Sequence, residues 1–168
     1  MSADFELVVL QQHDGTPSGV MRELASFGSG FTLVQLNEPA SDDQTIDLVF
    51  TALARNQATQ RSDADWVVFL DAGVALQGRW LDQLRADLQE ADSVAGPISV
   101  ADDGTFRDAG RRADIAYRRD FLVRSGGFPI GAEVAGQEDL LLGLRCMVEN
   151  RPILRGRRRS ERMRGVAS

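Results

Sequence analysis

The segment DWVVFLD, at residues 65–71, constrains the fold more strongly than any other part of the chain. Its apolar residues are consecutive and do not alternate with polar ones, which is typical of a strand buried on both faces. Strands of this kind lie in parallel sheets that helices cover on both sides. The segment therefore predicts the central strand of an α/β domain, with Asp71 at its carboxyl end.

Strands and helices alternate along the rest of the chain. The other predicted strands are short apolar runs: 5–11, 31–36, 93–100, part of 113–128, and 151–155. The predicted helices have apolar residues at helical spacing: 20–28, 44–60, 78–92 and 136–150. This alternation predicts a three-layer, Rossmann-like α/β domain with a mostly parallel central sheet, and such sheets bind ligands at the carboxyl ends of their strands.

Two of the predicted helices have a defined inward face. For the helix at 44–60, the predicted inward residues are Ile46, Val49, Phe50 and Leu53. For the helix at 78–92, they are Trp80, Leu81, Leu84 and Leu88. Ser41 or Asp42 is expected to cap the first of these helices.

The basic residues divide the chain into two parts. There is no lysine, which excludes a Walker-type phosphate loop and Schiff-base catalysis. Residues 151–168 carry seven arginines and one glutamate, so a net charge of −6 leaves −12 on residues 1–150. We therefore expect a domain over 1–150 that repels DNA and a solvated, arginine-rich tail over 151–168 that can contact an anionic surface.

The few cysteines and histidines, and the lack of long apolar runs, exclude further kinds of site and segment. The single Cys146 and the single His13 exclude an internal disulfide and a zinc site built from cysteine or histidine clusters. No apolar run reaches the ~20 residues of a membrane span, and the first residues do not form a secretory leader. We expect a cytoplasmic protein, which its tail could bring to the inner face of the membrane.

Two groups of acids carry the candidate chemistry. Asp71 ends the central strand, where a carboxylate either faces a ligand or caps the following turn. Glu138 and Asp139 follow the glycine-rich segment 126–136 and open a helix. One of them could accept a proton from an attacking hydroxyl while the other holds the loop, or both could only stabilise the helix N-terminus.

Three segments, taken in order, resemble one enzyme family. The first segment, at 52–84, has the sequence ALARNQATQRSDADWVVFLDAGVALQGRWLDQL. It matches an Ala-Arg-Asn helix, a strand ending in an Asp-x-Asp metal motif and a Gly-Trp-Leu helix. IAYRRDFLVRSGGF, at 115–128, followed by GQEDLLLGLR, at 136–145, matches an acceptor-side segment. ELVVLQQHDGTPS, at 6–18, is a weaker match to a second strand and its Asp-Gly-Ser turn. Together these segments resemble glycosyltransferase family 2 domains of the GT-A type over most of residues 5–150.

The resemblance implies a transferase that uses a nucleotide-sugar donor and a glycan or lipid-linked acceptor. It implies that Asp71 holds a divalent ion, Mn or Mg, on the donor diphosphate. Asp139, with Glu138 beside it, corresponds to the general base for the acceptor hydroxyl. The other residues that it implies near the donor are Asp14, Arg55 and Asn56.

Four departures from the family pattern concern the donor side. Gly73 replaces the second acid of the metal motif, and Ser18 replaces the second acid of the Asp-Gly-Ser turn. Arginines at 155–159 stand where a histidine often follows the last strand, and the chain begins at what resembles the family's second strand. Gly73 argues against a bound metal ion. A sheet without its first strand would expose an edge that a second copy could cover in a homodimer.

Three hypotheses follow from the resemblance and from these departures. The first is an active transferase with reduced metal dependence, in which Arg118 or Arg119 helps to neutralise the diphosphate. The second is a degenerate GT-A-like domain that binds a partner, a glycan or a nucleotide without transferring sugar. The third is an unrelated α/β domain whose strand-end acids are structural.

Overall fold

Strands and helices alternate in the computed structural model, which describes residues 4–12, 19–28, 30–38, 43–99, 106–107 and 114–162. The strands are β1 (Phe5–Gln12), β2 (Thr32–Glu38), β3 (Trp66–Asp71), β4 (Val74–Gln77), β5 (Ser93–Ala95), β6 (Ile98–Ser99), β7 (Phe106–Arg107), β8 (Asp114–Arg118), β9 (Leu154–Arg155) and β10 (Arg159–Arg162). The helices are α1 (Gly19–Ser26), α2 (Gln44–Arg61), α3 (Trp80–Asp87), α4 (Arg119–Arg124) and α5 (Glu138–Val148). A single 3₁₀ turn, Ala132–Val134, precedes α5.

Six strands form the central sheet, in the order β2-β1-β3-β8-β5-β9. β1 is parallel to β2 and β3, and β5 is parallel to β9, whereas β8 is antiparallel to both β3 and β5. Five strands therefore run in one direction and β8 runs in the other. The prediction of a mostly parallel sheet with β3 inside it is confirmed.

Apolar cores cover both faces of the central sheet. Because successive side chains of a strand point to opposite faces, Trp66, Val68 and Leu70 of β3 belong to one core and Val67 and Phe69 to the other. The first core is completed by residues of α1 and α3, and the second by residues of α2, α4 and α5. The three-layer architecture is therefore confirmed, with these two groups of helices as the outer layers.

Part of the arginine-rich segment forms sheet structure. β10 belongs to a second, four-stranded sheet in the order β4-β10-β6-β7, in which it is antiparallel to β4 and parallel to β6. β9 pairs with β5 at one side of the central sheet. Arg158, between these two strands, is completely buried. Strand pairing and the buried Arg158 therefore hold this segment against the rest of the chain, whereas most of its other arginines, including Arg155, Arg159 and Arg162, stay exposed to solvent.

The buried face of α2 differs from the predicted one. Ile46 and Phe50 are 44% and 48% exposed. The buried residues of this helix are instead Ala52, Arg55, Ala58 and Thr59. Helical spacing reveals an apolar face, but it does not reveal whether another element covers that face.

Two predicted boundaries also differ, while the inward face of α3 agrees. The N-cap of α2 is Asp43, whose carboxylate accepts the N–H of the second helical residue at 2.9 Å, and not Ser41 or Asp42. The strand predicted at 93–100 is interrupted at Gly96–Pro97, where the chain passes from the central sheet to the second sheet. The predicted inward residues of α3 belong to the first core: Trp80, Leu81, Leu84 and Leu88.

Candidate functional site

A buried ion pair joins α2 to the first turn of α5. Arg55 is only 2% exposed, and its Nη1 donates to Asp139 Oδ1 at 3.2 Å. The guanidinium also lies over the rings of Phe69 and Phe128, 5.5 and 5.1 Å from their centroids. A buried charge requires a counter-charge because removing it from water is costly. Arg55 therefore holds the Asp139 carboxylate near the face of the sheet that carries Phe69.

The two adjacent acids of α5 have different partners. Glu138 and Asp139 lie in the first turn of the helix, where the helix dipole favours negative charge, and both are buried. Glu138 Oε1 accepts the backbone N–H of Gly136 at 3.0 Å. Glu138 thus bonds the loop that enters the helix, while Asp139 contacts Arg55.

Asn56 joins the Ala-Arg-Asn segment to the Gly-Gly-Phe segment. Its Oδ1 accepts the N–H of Phe128 at 2.8 Å, and its Nδ2 donates to the carbonyl of Phe128 at 2.9 Å. Gly127 has a φ of +74°, and a Cβ there would lie 2.3 Å from Asn56 Oδ1. Arg145 of α5 also donates to the carbonyls of Ser125 and Gly127. Asn56 therefore anchors this turn, a role that its place beside Arg55 in the sequence did not indicate.

Asp71 bonds the turn that follows β3 and faces an arginine. Its Oδ1 accepts the N–H of Gly73 at 2.9 Å, the bond expected of an acid that caps a turn. Its Oδ2 lies 4.0 Å from Arg162 Nη2 of β10. The side chains of Asp71 and Arg162 are 38% and 52% exposed, so solvent reaches both groups.

Asp71 and the Arg55–Asp139 pair lie on the same face of the central sheet. Phe69 and Asp71 are two residues apart in β3, so their side chains point to that same face. The Arg55 guanidinium lies over the Phe69 ring, and Asp139 is bonded to Arg55. Since Asp71 is opposite Leu10 near the carboxyl end of the parallel strand β1, this is the edge at which such sheets bind ligands.

Arg118 and Arg119, two other residues predicted near the donor, do not lie beside Asp71. Arg118 is opposite Trp66 at the start of β3, about 16 Å along the strand from Asp71 at the usual rise per residue. There its Nε pairs with Asp92 at 2.8 Å. Arg119 donates to the carbonyl of Thr59 at 3.0 Å. The structure therefore does not bring Arg118 and Arg119 to Asp71.

Asp14 and Ser18 belong to residues 13–18, which are outside the described residues. The role that the resemblance implies for Asp14 near the nucleotide stays a prediction.

The described residues around Asp71 do not fit the divalent ion that the resemblance implies. Mn and Mg bind several oxygen ligands, but Gly73 supplies no side-chain oxygen. One oxygen of Asp71 accepts a backbone N–H, and the other faces the cation Arg162. In the part of the chain that the structure describes, no three His, Cys, Asp or Glu side chains gather as metal ligands would.

Sequence reasoning missed a buried cluster around Arg158. Its Nε donates to Asp114 Oδ1 at 2.7 Å, and its Nη1 donates to Asp87 Oδ2 at 2.9 Å. Trp80 Nε1 donates to the other oxygen of Asp114 at 2.9 Å. Burial raises the pKa of the Asp114 carboxyl, and the charge of Arg158 and the bond from Trp80 oppose that shift. The run of arginines contained no local signal that Arg158, and not one of its neighbours, would be the buried one.

The chain shares its fold with glycosyltransferases of known structure. It is similar to residues 1–349 of TarS from S. aureus, with a TM-score of 0.62 and 16% identity over 94% of this chain and 57% of that chain. The complex of TarS 1–349 with UDP-GlcNAc has the same TM-score and identity, over 94% of this chain and 55% of that chain. The mannosyltransferase PcManGT from Pyrobaculum calidifontis, in complex with GDP-Man and Mn²⁺, has a TM-score of 0.57 and 16% identity, over 95% and 58%.

These likenesses establish a GT-A-like fold. The chain spans less than three-fifths of each of these structures. Comparison with protein-family models and with curated protein sequences finds no match. The GT-A-like fold predicted from the three motif segments is confirmed.

Proposed function

We propose that this protein transfers a sugar from a nucleotide-diphosphate donor to an acceptor hydroxyl. The observation that carries the proposal is the position of Asp71 and Asp139 on one face of the sheet, at the edge where parallel α/β sheets bind ligands. The fold supports it, because it is shared with TarS, solved with UDP-GlcNAc, and with PcManGT, solved with GDP-Man.

Asp139 is the general base in this proposal. The acceptor oxygen attacks the anomeric carbon of the donor sugar and gives its proton to Asp139. The bond from that carbon to the diphosphate oxygen breaks, and its electron pair leaves with the nucleoside diphosphate. A general base must lie within hydrogen-bond reach of the proton it accepts. Arg55 and Glu138 are positioning residues, since the first holds the Asp139 carboxylate and the second holds the loop before it.

Donor binding is the first step of the test. The purified protein is titrated with UDP-GlcNAc and with GDP-Man, in EDTA and in Mn²⁺, while its thermal stability is measured. A donor present at a hundred times its Kd stabilises the folded protein by about 2.7 kcal/mol, which raises Tm. If neither donor changes Tm under either condition, the proposal is wrong.

Substitution of the base is the second step. We expect Asp139→Asn to lower the release of nucleoside diphosphate, measured with a panel of glycan and lipid-linked acceptors, by at least about 100-fold. Donor affinity should stay close to that of the wild type, which also shows that the variant is folded. Asp120→Asn is the matched control, because Asp120 is an exposed acid of α4 in an ion pair with Arg124. Turnover by Asp139→Asn at the wild-type rate would rule out Asp139 as the base.

The second candidate function is a GT-A-like domain that binds a nucleotide or glycan without transfer. The observation that favours it is the altered donor side, where Gly73 supplies no carboxylate and Asp71 already bonds a backbone N–H. The same titration separates the two functions. A donor that raises Tm, together with no release of nucleoside diphosphate for any acceptor, supports the binding domain.

The acceptor class and the location in the cell also belong to the proposal. A glycan or lipid-linked acceptor at the cytoplasmic face of a membrane would suit the arginines of residues 151–168. Part of that charge is neutralised internally, since Arg151 pairs with Asp92 and Arg157 pairs with Glu90. Among the helices of the described residues, none combines the length and apolar character needed to cross a membrane.

A further inference from the structure

We propose that Arg162 binds the donor diphosphate beside Asp71, in the place where a divalent metal ion would otherwise act. The inference rests on the proposed function. It begins from the register of the second sheet, in which β10 runs antiparallel to β4 and Arg162 is opposite Val74. This register brings the Arg162 guanidinium next to the turn after β3, with Nη2 4.0 Å from Asp71 Oδ2.

The charge of Arg162 favours an anion beside Asp71 and disfavours a metal ion there. In the Asp-x-Asp motif, two carboxylates and a divalent ion together have no net charge. In this chain Asp71 and Arg162 together also have none. A metal ion at Asp71 would lie close to the Arg162 charge and would be repelled by it. The diphosphate, in contrast, carries the negative charge that grows as the sugar is transferred, and a guanidinium can stabilise that charge.

Arg162 has the chemistry and the exposure that phosphate binding requires. A guanidinium has five N–H donors in a planar arrangement that matches two phosphate oxygens at once. Its contact with Asp71, at 4.0 Å, is an ion pair and is too long for a hydrogen bond. Its side chain is 52% exposed, so a donor in solution can reach it.

The strand that carries Arg162 is firmly attached to the rest of the protein. Arg158, directly before β10, bonds Asp87 and Asp114 inside the protein. Glu161 accepts a hydrogen bond from Gln77 of β4 at 2.8 Å. These contacts on both sides of the strand fix its register and therefore keep Arg162 beside Asp71.

The test measures the affinity for UDP, GDP, uridine and guanosine by isothermal titration, in EDTA and in Mn²⁺. We expect the wild type to bind one of the diphosphates in EDTA, with less than about a threefold gain from Mn²⁺. Arg162→Gln should lower that affinity by about 10- to 100-fold, the usual effect of losing a charged hydrogen bond. It should leave the affinity for the matching nucleoside unchanged, because the nucleoside has no phosphate. Arg162→Lys keeps the charge and should recover part of the loss.

Arg124→Gln is the matched control, since Arg124 is an exposed arginine of α4 that forms an ion pair with Asp120. It should bind the diphosphate as the wild type does. If Arg162→Gln has wild-type affinity, or if wild-type affinity is lost in EDTA and restored by Mn²⁺, the inference is wrong and the proposed function stands. If the wild type binds neither diphosphate under any condition, both are wrong.

Discussion

At the scale of single residues, Arg158 shows how strongly one side chain can depend on its partners. It is completely buried, and its Nε, Nη1 and Nη2 donate to Asp114, Asp87 and the carbonyl of Val94, respectively. The two acids would be costly to bury without this cation, because each would keep a charge away from water. The cluster therefore stabilises the fold only while all of its members are present.

The prediction for Arg158 is a large loss of stability. Arg158→Ala leaves the buried Asp87 and Asp114 carboxylates without their cation, and we expect the free energy of unfolding to fall by about 3–5 kcal/mol. The neighbouring Arg157→Ala is the control, because Arg157 is 60% exposed and pairs with Glu90 at the surface. It should cost less than about 1 kcal/mol. Urea unfolding measures both, and equal losses for the two variants would contradict the structure.

At the scale of elements, the hydrogen bonds of Asn56 attach α2 to the turn after α4. Both polar atoms of the side-chain amide bond the backbone of Phe128, and Gly127 beside it lies against the same amide. The ring of Phe128 in turn lies below the guanidinium of Arg55. This attachment therefore contributes to the position of Arg55 and, through it, of Asp139.

The prediction for this attachment concerns Gly127. Gly127→Ala introduces a Cβ at a φ of +74° and 2.3 Å from Asn56 Oδ1, so both backbone strain and a steric clash destabilise it. Gly28→Ala is the control, because Gly28 has a similar φ of +82° and no atom within 4 Å of the added Cβ. We expect Gly127→Ala to cost about 1–3 kcal/mol more than Gly28→Ala.

A double-mutant cycle separates the clash from the strain. The double variant Asn56→Ala/Gly127→Ala has no side-chain amide, which relieves the clash. Its loss of unfolding free energy should therefore be smaller than the sum of the losses of the two single variants. Urea unfolding of the four proteins gives the interaction energy. Additive losses would show that Asn56 and Gly127 are not in contact.

At the scale of the whole molecule, the central sheet ends in β2 within the described residues. Strand edges of this kind can pair with a second copy. We propose a homodimer that forms through this edge, and we expect the mass measured by light scattering to approach that of two chains as the concentration rises. A mass of one chain, 18.4 kDa, at every concentration would contradict it.

Much of the architecture could be predicted from local pattern. The consecutive apolar residues before Asp71 predicted β3 inside a mostly parallel sheet, because burial on both faces leaves no polar positions. The spacing of Trp80, Leu84 and Leu88 predicted the buried face of α3. For α2 the same reasoning was wrong, since Ile46 and Phe50 form an apolar face that the described residues leave exposed.

The sequence by itself determined the alternation of the main strands and helices, the layers of the fold and the acids that end β3 and begin α5. These features depend on residues close together in the chain, so periodicity and spacing report them. Only the tertiary structure decided the partners of those acids. Arg55 and Asp139 are 84 positions apart, and Arg162 approaches Asp71 from a strand much later in the chain. Which of many identical arginines meets a given carboxylate depends on how the sheets pair and pack, and no local pattern carries that information.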